Sequence, residues 1–260
     1  MISEASWSAA PPRRRAERER AVARLGSLAA LSPAEQATLV NLIGPVELLP
    51  PGQDIVRESP PLARAGLILS GWACRQRMLP DGRRQILGLL APGDFVGLVP
   101  NGPLGESWTV CLTRVELAGG EALRRRLAEA KPVDGRIAAA FAALARVEQQ
   151  RLLDQIVRLG RQTAYERVGH LLLELHQRAE GDGPTASRRF ALPLTQEVLA
   201  DVVGLSVVHV NRVLQQMKRE RLLELHAGQA ALLNAPLLAE ICDFTSPADA
   251  ACGRGRRETT

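Results

Sequence analysis

TQEVLADVVGLSVVHVNRVLQQMKRERLLEL, Thr195–Leu225, is the stretch on which the reading of the whole 260-residue chain turns. Thr195 is placed to cap a first helix, Gln196 to Val203, in which Val198, Leu199, Val202 and Val203 recur at the spacing of one buried face. Gly204 ends that helix, Leu205 anchors the turn, and Ser206 caps a second helix from about Val207 to Glu220. This second helix turns Val210, Val213, Leu214 and Met217 inward. Its other face carries Val207, Val208, His209, Asn211, Arg212 and Gln215, and further along Lys218, Arg219 and Arg221. Arginine pairs with guanine through two hydrogen bonds, Asn and Gln pair with adenine, apolar groups meet the thymine methyl, and Lys or Arg neutralises phosphate. The spacing therefore predicts a helix-turn-helix whose second helix reads double-stranded DNA. A solvated amphipathic helix on a bundle shares the periodicity, and the doubled cap with glycine between is what separates the two.

The rest of the composition agrees. The chain is long enough for two domains, each with its own core. Its 33 basic against 28 acidic side chains, a formal charge of +5, are a mild excess that favours a polyanionic partner without deciding it. No apolar run has the length of a membrane span, and the opening stretch lacks the apolar core of a signal peptide, so a cytoplasmic protein without a membrane partner is expected. Arg13, Arg14 and Arg15 read as part of a disordered tail, residues 1–17, and a second such tail is expected over 246–260, with Arg254, Arg256 and Arg257. Cys74, Cys111, Cys242 and Cys252 are scattered and form no metal-binding pair, which makes them candidate buried thiols. Histidine occurs only at 170, 176, 209 and 226. His170 and His176 lie on different faces of one helix, so no metal or other cofactor is expected, and no nucleophile–base pair points to an enzyme.

In chain order, a helix is expected from near Arg18, and another in LSPAEQATLVNLI, where Ser32 and Glu35 have capping-box spacing. From Pro45 to about Leu117 short apolar runs alternate with Pro and Gly, the pattern of a small antiparallel barrel or roll. Asp81-Gly82 predicts a two-residue type I′ hairpin turn. Arg75, Arg77, Arg83 and Arg84 then face one another, as an anion site or as one wet face of the hairpin, with the wet face preferred. Glu121 to Glu129 is helical. A longer helix follows from about Asp134 to Leu159, along which Ile137, Phe141, Leu144, Glu148, Arg151 or Leu152, Gln155 and Leu159 recur at spacings of three and four. That stripe is either a seam between two copies or ordinary packing on the roll. The seam is preferred, because a long helix leaving a small roll would otherwise keep its stripe wet. A helix over 161–178 turns Val168, Leu171, Leu172 and Leu175 inward. A short strand in RRFALPLT and a hairpin in LLELHAGQAALLN flank the helix-turn-helix and make it a winged one.

Four stretches in this order resemble the Crp/Fnr family of bacterial transcription regulators: LPPGQDI (49–55), LSGWACRQRMLPDGRRQILGLLAPGDFVG (69–97), LGRQTAYERVGHLLLEL (159–175) and LTQEVLADVVGLSVVHVNRVLQQMKRERLLEL (194–225). The resemblance covers roughly residues 20 to 245. It implies an α+β protein with an N-terminal antiparallel β-roll of jelly-roll type, a long connecting dimerisation helix and a C-terminal winged helix-turn-helix. The expected boundaries are 18–133 for a sensor domain like those that bind cyclic nucleotides, 134–160 for the dimerisation helix and 161–245 for the DNA-binding domain. The family's recognition arginine falls on Arg212, and its backbone-contacting positions on Thr195, Gln196, Ser206 and His209. The family's best-known member has Arg-Glu where this chain has Val207-Val208, so a different operator is expected, the valines either reading a thymine methyl or filling space.

The resemblance also places an effector pocket at Gly93, Asp94, Glu106 and Ser107. In cyclic-AMP-binding members a Gly-Glu holds the ribose and an Arg-Ser the cyclic phosphate. Here Gly93-Asp94 keeps the first pair, but Glu106-Ser107 replaces the second. A carboxylate about 4 Å from a phosphate repels it by ~1 kcal/mol or more. Cyclic AMP is therefore not expected as the effector. The cysteine cluster of the oxygen-sensing branch is absent, and no histidine is present in the first half for haem. The resemblance implies a homodimer on a palindromic site, with the roll as dimer scaffold or as a contact for RNA polymerase. The alternative is a small-molecule or cyclic-nucleotide binding module with degenerate DNA binding.

Overall fold

The computed structural model describes residues 12–57, 62–98, 108–129, 135–180 and 189–244. The chain divides into two units, one drawn from Met1–Arg77 and Leu89–Gln150, the other from Met78–Gly88 and Arg151–Thr260.

The first unit begins with helix α1 (Pro12–Ser27), earlier than the start expected near Arg18. Pro12 occupies the first position, where a missing N–H costs nothing, and Arg13–Glu17 and Arg15–Glu19 pair one turn apart at 2.9 Å each. Arg13, Arg14 and Arg15 are thus helical, and Arg14 reaches Glu116 at 2.7 Å. Helix α2 (Pro33–Leu42) carries the expected capping box: the Ser32 hydroxyl accepts from the Glu35 N–H, and the Glu35 carboxylate accepts from the Ser32 N–H. Strands β1 (Val46–Leu49), β2 (Asp54–Arg57), β3 (Leu62–Ala63), β4 (Gly66–Ser70), β5 (Ala73–Met78), β6 (Arg84–Leu90), β7 (Phe95–Val96), β8 (Trp108–Cys111) and β9 (Val115–Gly119) form two sheets, ordered β1-β9-β4-β7 and β3-β2-β8-β5-β6. The registered pairs are antiparallel.

Strand β4 explains why GLILS is apolar without alternation. Ile68 enters a core with Ile55, Ala73, Val96, Val115 and Leu117, while Leu67 and Leu69 enter a second core with residues of the flanking helices. A strand buried on both faces loses the period-two signal. The second core also contains Leu123 of α3 (Glu121–Glu129) and Ile137 and Phe141 of α4 (Gly135–Arg161). Phe95 and Phe141 meet edge to face at 5.3 Å.

The hairpin between β5 and β6 is present, but its turn differs from the expected one. Gly82 N–H donates to the Leu79 carbonyl and Leu79 N–H to the Arg83 carbonyl, which makes a three-residue loop, Pro80-Asp81-Gly82. Of these only Gly82 has positive φ, at 84°. Pro80 fixes its own φ near −65°, which suits a type I turn followed by a left-handed glycine and excludes a type I′ pair at Asp81-Gly82. The four hairpin arginines do not form one wet face: Arg77 and Arg83 are exposed, whereas Arg75 is buried and Arg84 half-buried. Arg75 is buried against Glu148 at 3.3 Å, Arg83 bonds Asp81 at 2.7 Å, and Arg84 bonds Asp201 at 2.6 Å.

The second unit packs α5 (Ala164–Glu180), α6 (Gln196–Val203), α7 (Val207–Arg219) and α8 (Ala235–Ile241) around Val168, Leu171, Leu172 and Leu175, all buried as expected. Strands β10 (Arg189–Ala191), β11 (Leu223–His226) and β12 (Gln229–Leu232) form an antiparallel sheet ordered β10-β12-β11. The type I′ turn of this protein lies here. His226 pairs with Gln229, and Ala227 and Gly228 between them have φ of 47° and 73°. An alanine in the left-handed region costs roughly 1–2 kcal/mol. Ala227→Asn is expected to raise stability by about 0.5–1 kcal/mol, read as a higher urea midpoint; an unchanged midpoint would show that the turn stores no such cost.

Candidate nucleic-acid interface

Helices α6 and α7 stand as the capping residues predict. The Thr195 hydroxyl accepts from the Val198 N–H at 3.2 Å, and the Ser206 hydroxyl from the His209 N–H at 3.3 Å. Both hydroxyls keep their own proton to donate to a phosphate. Gly204 closes α6 at φ 64°, and Leu205 N–H returns to the Ala200 carbonyl at 3.1 Å, a left-handed cap that a side chain would strain. The turn is thereby fixed at Gly204-Leu205-Ser206.

On α7, Val210, Val213, Leu214 and Met217 are buried, which holds the opposite face toward solvent. Val207, Val208, His209, Asn211, Arg212 and Gln215 are exposed, as are Thr195, Gln196 and Ser206; Lys218 is half-buried. The helix has no acidic residue from 207 to 219, and its last turn holds Lys218 and Arg219. Its N-terminal dipole end and its side chains therefore present one sign of charge to an anion. The nearest acids in sequence are engaged elsewhere: Asp201 with Arg84, and Glu220 with the Tyr165 hydroxyl and Gln216. Two exposed groups were absent from the sequence-derived site. Gln216 is tied to Glu220, and the turn at His226–Gln229 is an exposed wing tip whose sequence signal was the two-residue gap between LLELH and QAALL.

In the first unit, Asp94 is buried and already has partners. Its carboxylate accepts from the Ala91 N–H at 2.8 Å and from Arg24 Nη2 at 3.1 Å, and the same Nη2 donates to the Gly93 carbonyl at 2.7 Å. Glu106 and Ser107, the other half of the expected pocket, lie outside the described residues.

Residues 166–241 match the model of the Crp-like helix-turn-helix domain, and residues 46–118 that of the cyclic nucleotide-binding domain. The nitrogen fixation regulation protein FixK of Bradyrhizobium diazoefficiens is 30% identical over 170 residues, 64% of this chain and 69% of that protein. The chain belongs to the Crp/Fnr family. The FixK of Azorhizobium caulinodans is 27% identical over 79% of this chain and 82% of its own length. The structure of FixK2 from Bradyrhizobium japonicum superposes with a TM-score of 0.66 at 25% identity, covering 78% of this chain and all of that one. This Crp/Fnr protein is accordingly a transcription regulator with a helix-turn-helix DNA-binding domain and the α+β fold its sequence implies.

Within this regulator the stripe expected to form a seam between copies is used inside the chain. Ile137 and Phe141 belong to the first unit's core, and Glu148 pairs with Arg75. Gln155 donates to the Val202 carbonyl at 2.6 Å, and buried Arg158 reaches Gln155, His170 and Glu174. The outward positions of α4 are instead Ala139, Ala142, Arg146, Gln149, Leu153, Ile156 and Gly160, spaced three and four apart, with Val157 beside them. Leu153, Ile156 and Val157 are 49%, 60% and 56% exposed. His170 accepts from Arg158 at Nδ1, and burial together with Arg158 holds its pKa below the usual histidine range. Among the described residues no group of three or more His, Cys, Asp or Glu could hold a metal ion, and no helix is long and apolar enough to cross a membrane.

Cys74, Cys111 and Cys242 are buried thiols outside any disulfide. Burial pushes the Cys111 thiol up to about 11 and that of Cys242 up to about 12, which keeps them protonated and unreactive at neutral pH. In a Cys252→Ser variant, a thiol reagent at pH 7.5 is expected to label none of the remaining three until denaturant is added. Rapid labelling of Cys74 or Cys111 in the native protein would contradict this and point to a redox input through the roll.

Proposed function

We propose that this protein is a cytoplasmic, non-enzymatic regulator that binds a palindromic DNA site as a homodimer, each copy placing α7 in a major groove. The observation that carries the reading is the exposed face of α7, where Asn211, Arg212 and Gln215 stand together with no carboxylate among them. Thr195, Gln196, Ser206 and His209 flank it at the ends of α6 and α7 and supply phosphate contacts, and Lys218 adds charge. Homodimerisation is supported by the outward stripe of α4: its three- and four-residue spacing and its exposed Leu153, Ile156 and Val157 are what a two-stranded coiled-coil seam needs. Two α7 helices related by a two-fold axis then read half-sites one helical turn apart.

The roll does not take cyclic AMP in this reading. Glu106 replaces the phosphate-binding arginine, and the Asp94 carboxylate is held by Arg24 and by the Ala91 N–H. The match of residues 46–118 to the cyclic nucleotide-binding domain favours a second reading, a nucleotide module with weak DNA binding. Two experiments separate them. Gel mobility shift against genomic fragments is expected to show salt-sensitive retention of particular fragments, and calorimetry with cyclic AMP and cyclic GMP is expected to show no heat. Tight nucleotide binding without selective DNA retention would reverse the assignment. RNA polymerase is a further candidate contact of the roll.

A further inference from the structure

The two valines that open α7 are not equivalent. Val207 continues the inner stripe through Val210, Leu214 and Met217, at spacings of three and four, and is 39% exposed. Val208 lies on the outward stripe with Asn211, Arg212 and Gln215, three, four and seven residues on. At 69% exposed it is more open to solvent than any other large exposed apolar side chain among the described residues. A β-branched residue in that place lowers helix propensity and leaves most of its surface uncovered by its own chain. The first turn of a recognition helix is the part that meets base edges. The major groove offers one apolar feature, the C5 methyl of thymine, whereas reading the cytosine amino group calls for an acceptor such as a carboxylate. Among the exposed side chains of α7 none is a carboxylate.

We propose that Val208 is a specificity residue that reads the C5 methyl of a thymine next to the guanine paired with Arg212, while Val207, still exposed but in line with the buried stripe, reads nothing. This rests on the DNA-reading assignment of α7 and names the base chemistry that assignment leaves open.

The test uses the full-length protein and a symmetric duplex carrying its selected half-sites, with each thymine replaced in turn by deoxyuridine, which removes only the methyl group. Wild type is expected to lose about fourfold affinity per half-site at one symmetric position, roughly fifteenfold when both are changed. Val208→Ser should bind the thymine and uracil duplexes equally. Val207→Ser should keep the full thymine preference, although it lowers stability. Val208→Glu should move the preferred base at that position to cytosine. Uniform wild-type affinity across all uracil duplexes, or a Val208→Ser protein that retains the penalty, would overturn the role of Val208 while leaving α7 as the reader. Failure of wild type to select any duplex would overturn both.

Discussion

Arg212→Ala is expected to bind the selected site about 5- to 150-fold more weakly per half-site than wild type, with preference for guanine lost at one position. The range corresponds to the 1–3 kcal/mol carried by a bidentate arginine–guanine pair. Because Arg212 is exposed on a helix whose buried face is Val210, Val213, Leu214 and Met217, the melting temperature should stay within a degree or two of wild type. Arg212→Lys should restore charge but not the fork of two donors, and so recover affinity on any sequence without recovering discrimination. Lys218→Ala provides the contrast: a phosphate contact gives a uniform loss across sequences and a salt slope shallower by about one. Competition binding on the selected site and on its guanine-substituted variants reads all three. An Arg212→Ala protein with unaltered discrimination would remove this residue from the base-reading face.

The second large effect concerns assembly. Ile156→Glu places a carboxylate opposite its own symmetry mate in the proposed seam and removes an isoleucine from it. Losing that burial on both copies weakens the dimer by roughly 3–6 kcal/mol, a factor of about 10²–10⁴ in its dissociation constant. Sedimentation should show a monomer at concentrations where wild type is dimeric, and DNA binding should fall with it. Ile137→Val is the matching control. Ile137 is 2% exposed in the first unit's core, so trimming it should lower stability by about 0.5–1.5 kcal/mol and leave the assembly unchanged. Dissociation by Ile137→Val and not by Ile156→Glu would put the seam back on the inward stripe.

These two residues mark the boundary between what the sequence states and what only packing decides. The helix-turn-helix was legible to within a residue because its signals are local: Thr195 and Ser206 cap within three residues, and Gly204 supplies a left-handed stop that other residues resist. Helix α4 was legible as a helix, but it carries two stripes at helical spacing. Which of them is buried depends on the Arg75, Phe95 and Val202 that reach it from other elements. The hairpin turn was misread because Pro80, one residue before Asp81-Gly82, constrains the loop more strongly than the dipeptide does. The start of α1 was hidden by charge that looks like tail composition until the Arg–Glu pairs one turn apart are counted. Asp94 was expected in an effector pocket, and its bond to Arg24, 70 residues away, is announced by no local pattern. The valines of α7 show the same limit at smaller scale, since adjacent identical residues differ in exposure, 39% against 69%, in a way that the sequence alone does not reveal.

The most direct test of the central claim is hydroxyl-radical footprinting of the wild-type dimer on DNA selected from genomic fragments. Two equal protected half-sites are expected, related by a two-fold axis and centred about 34 Å or 10 base pairs apart, each containing a guanine whose change abolishes protection on its own side. A single asymmetric footprint, or protection that ignores sequence, would contradict it.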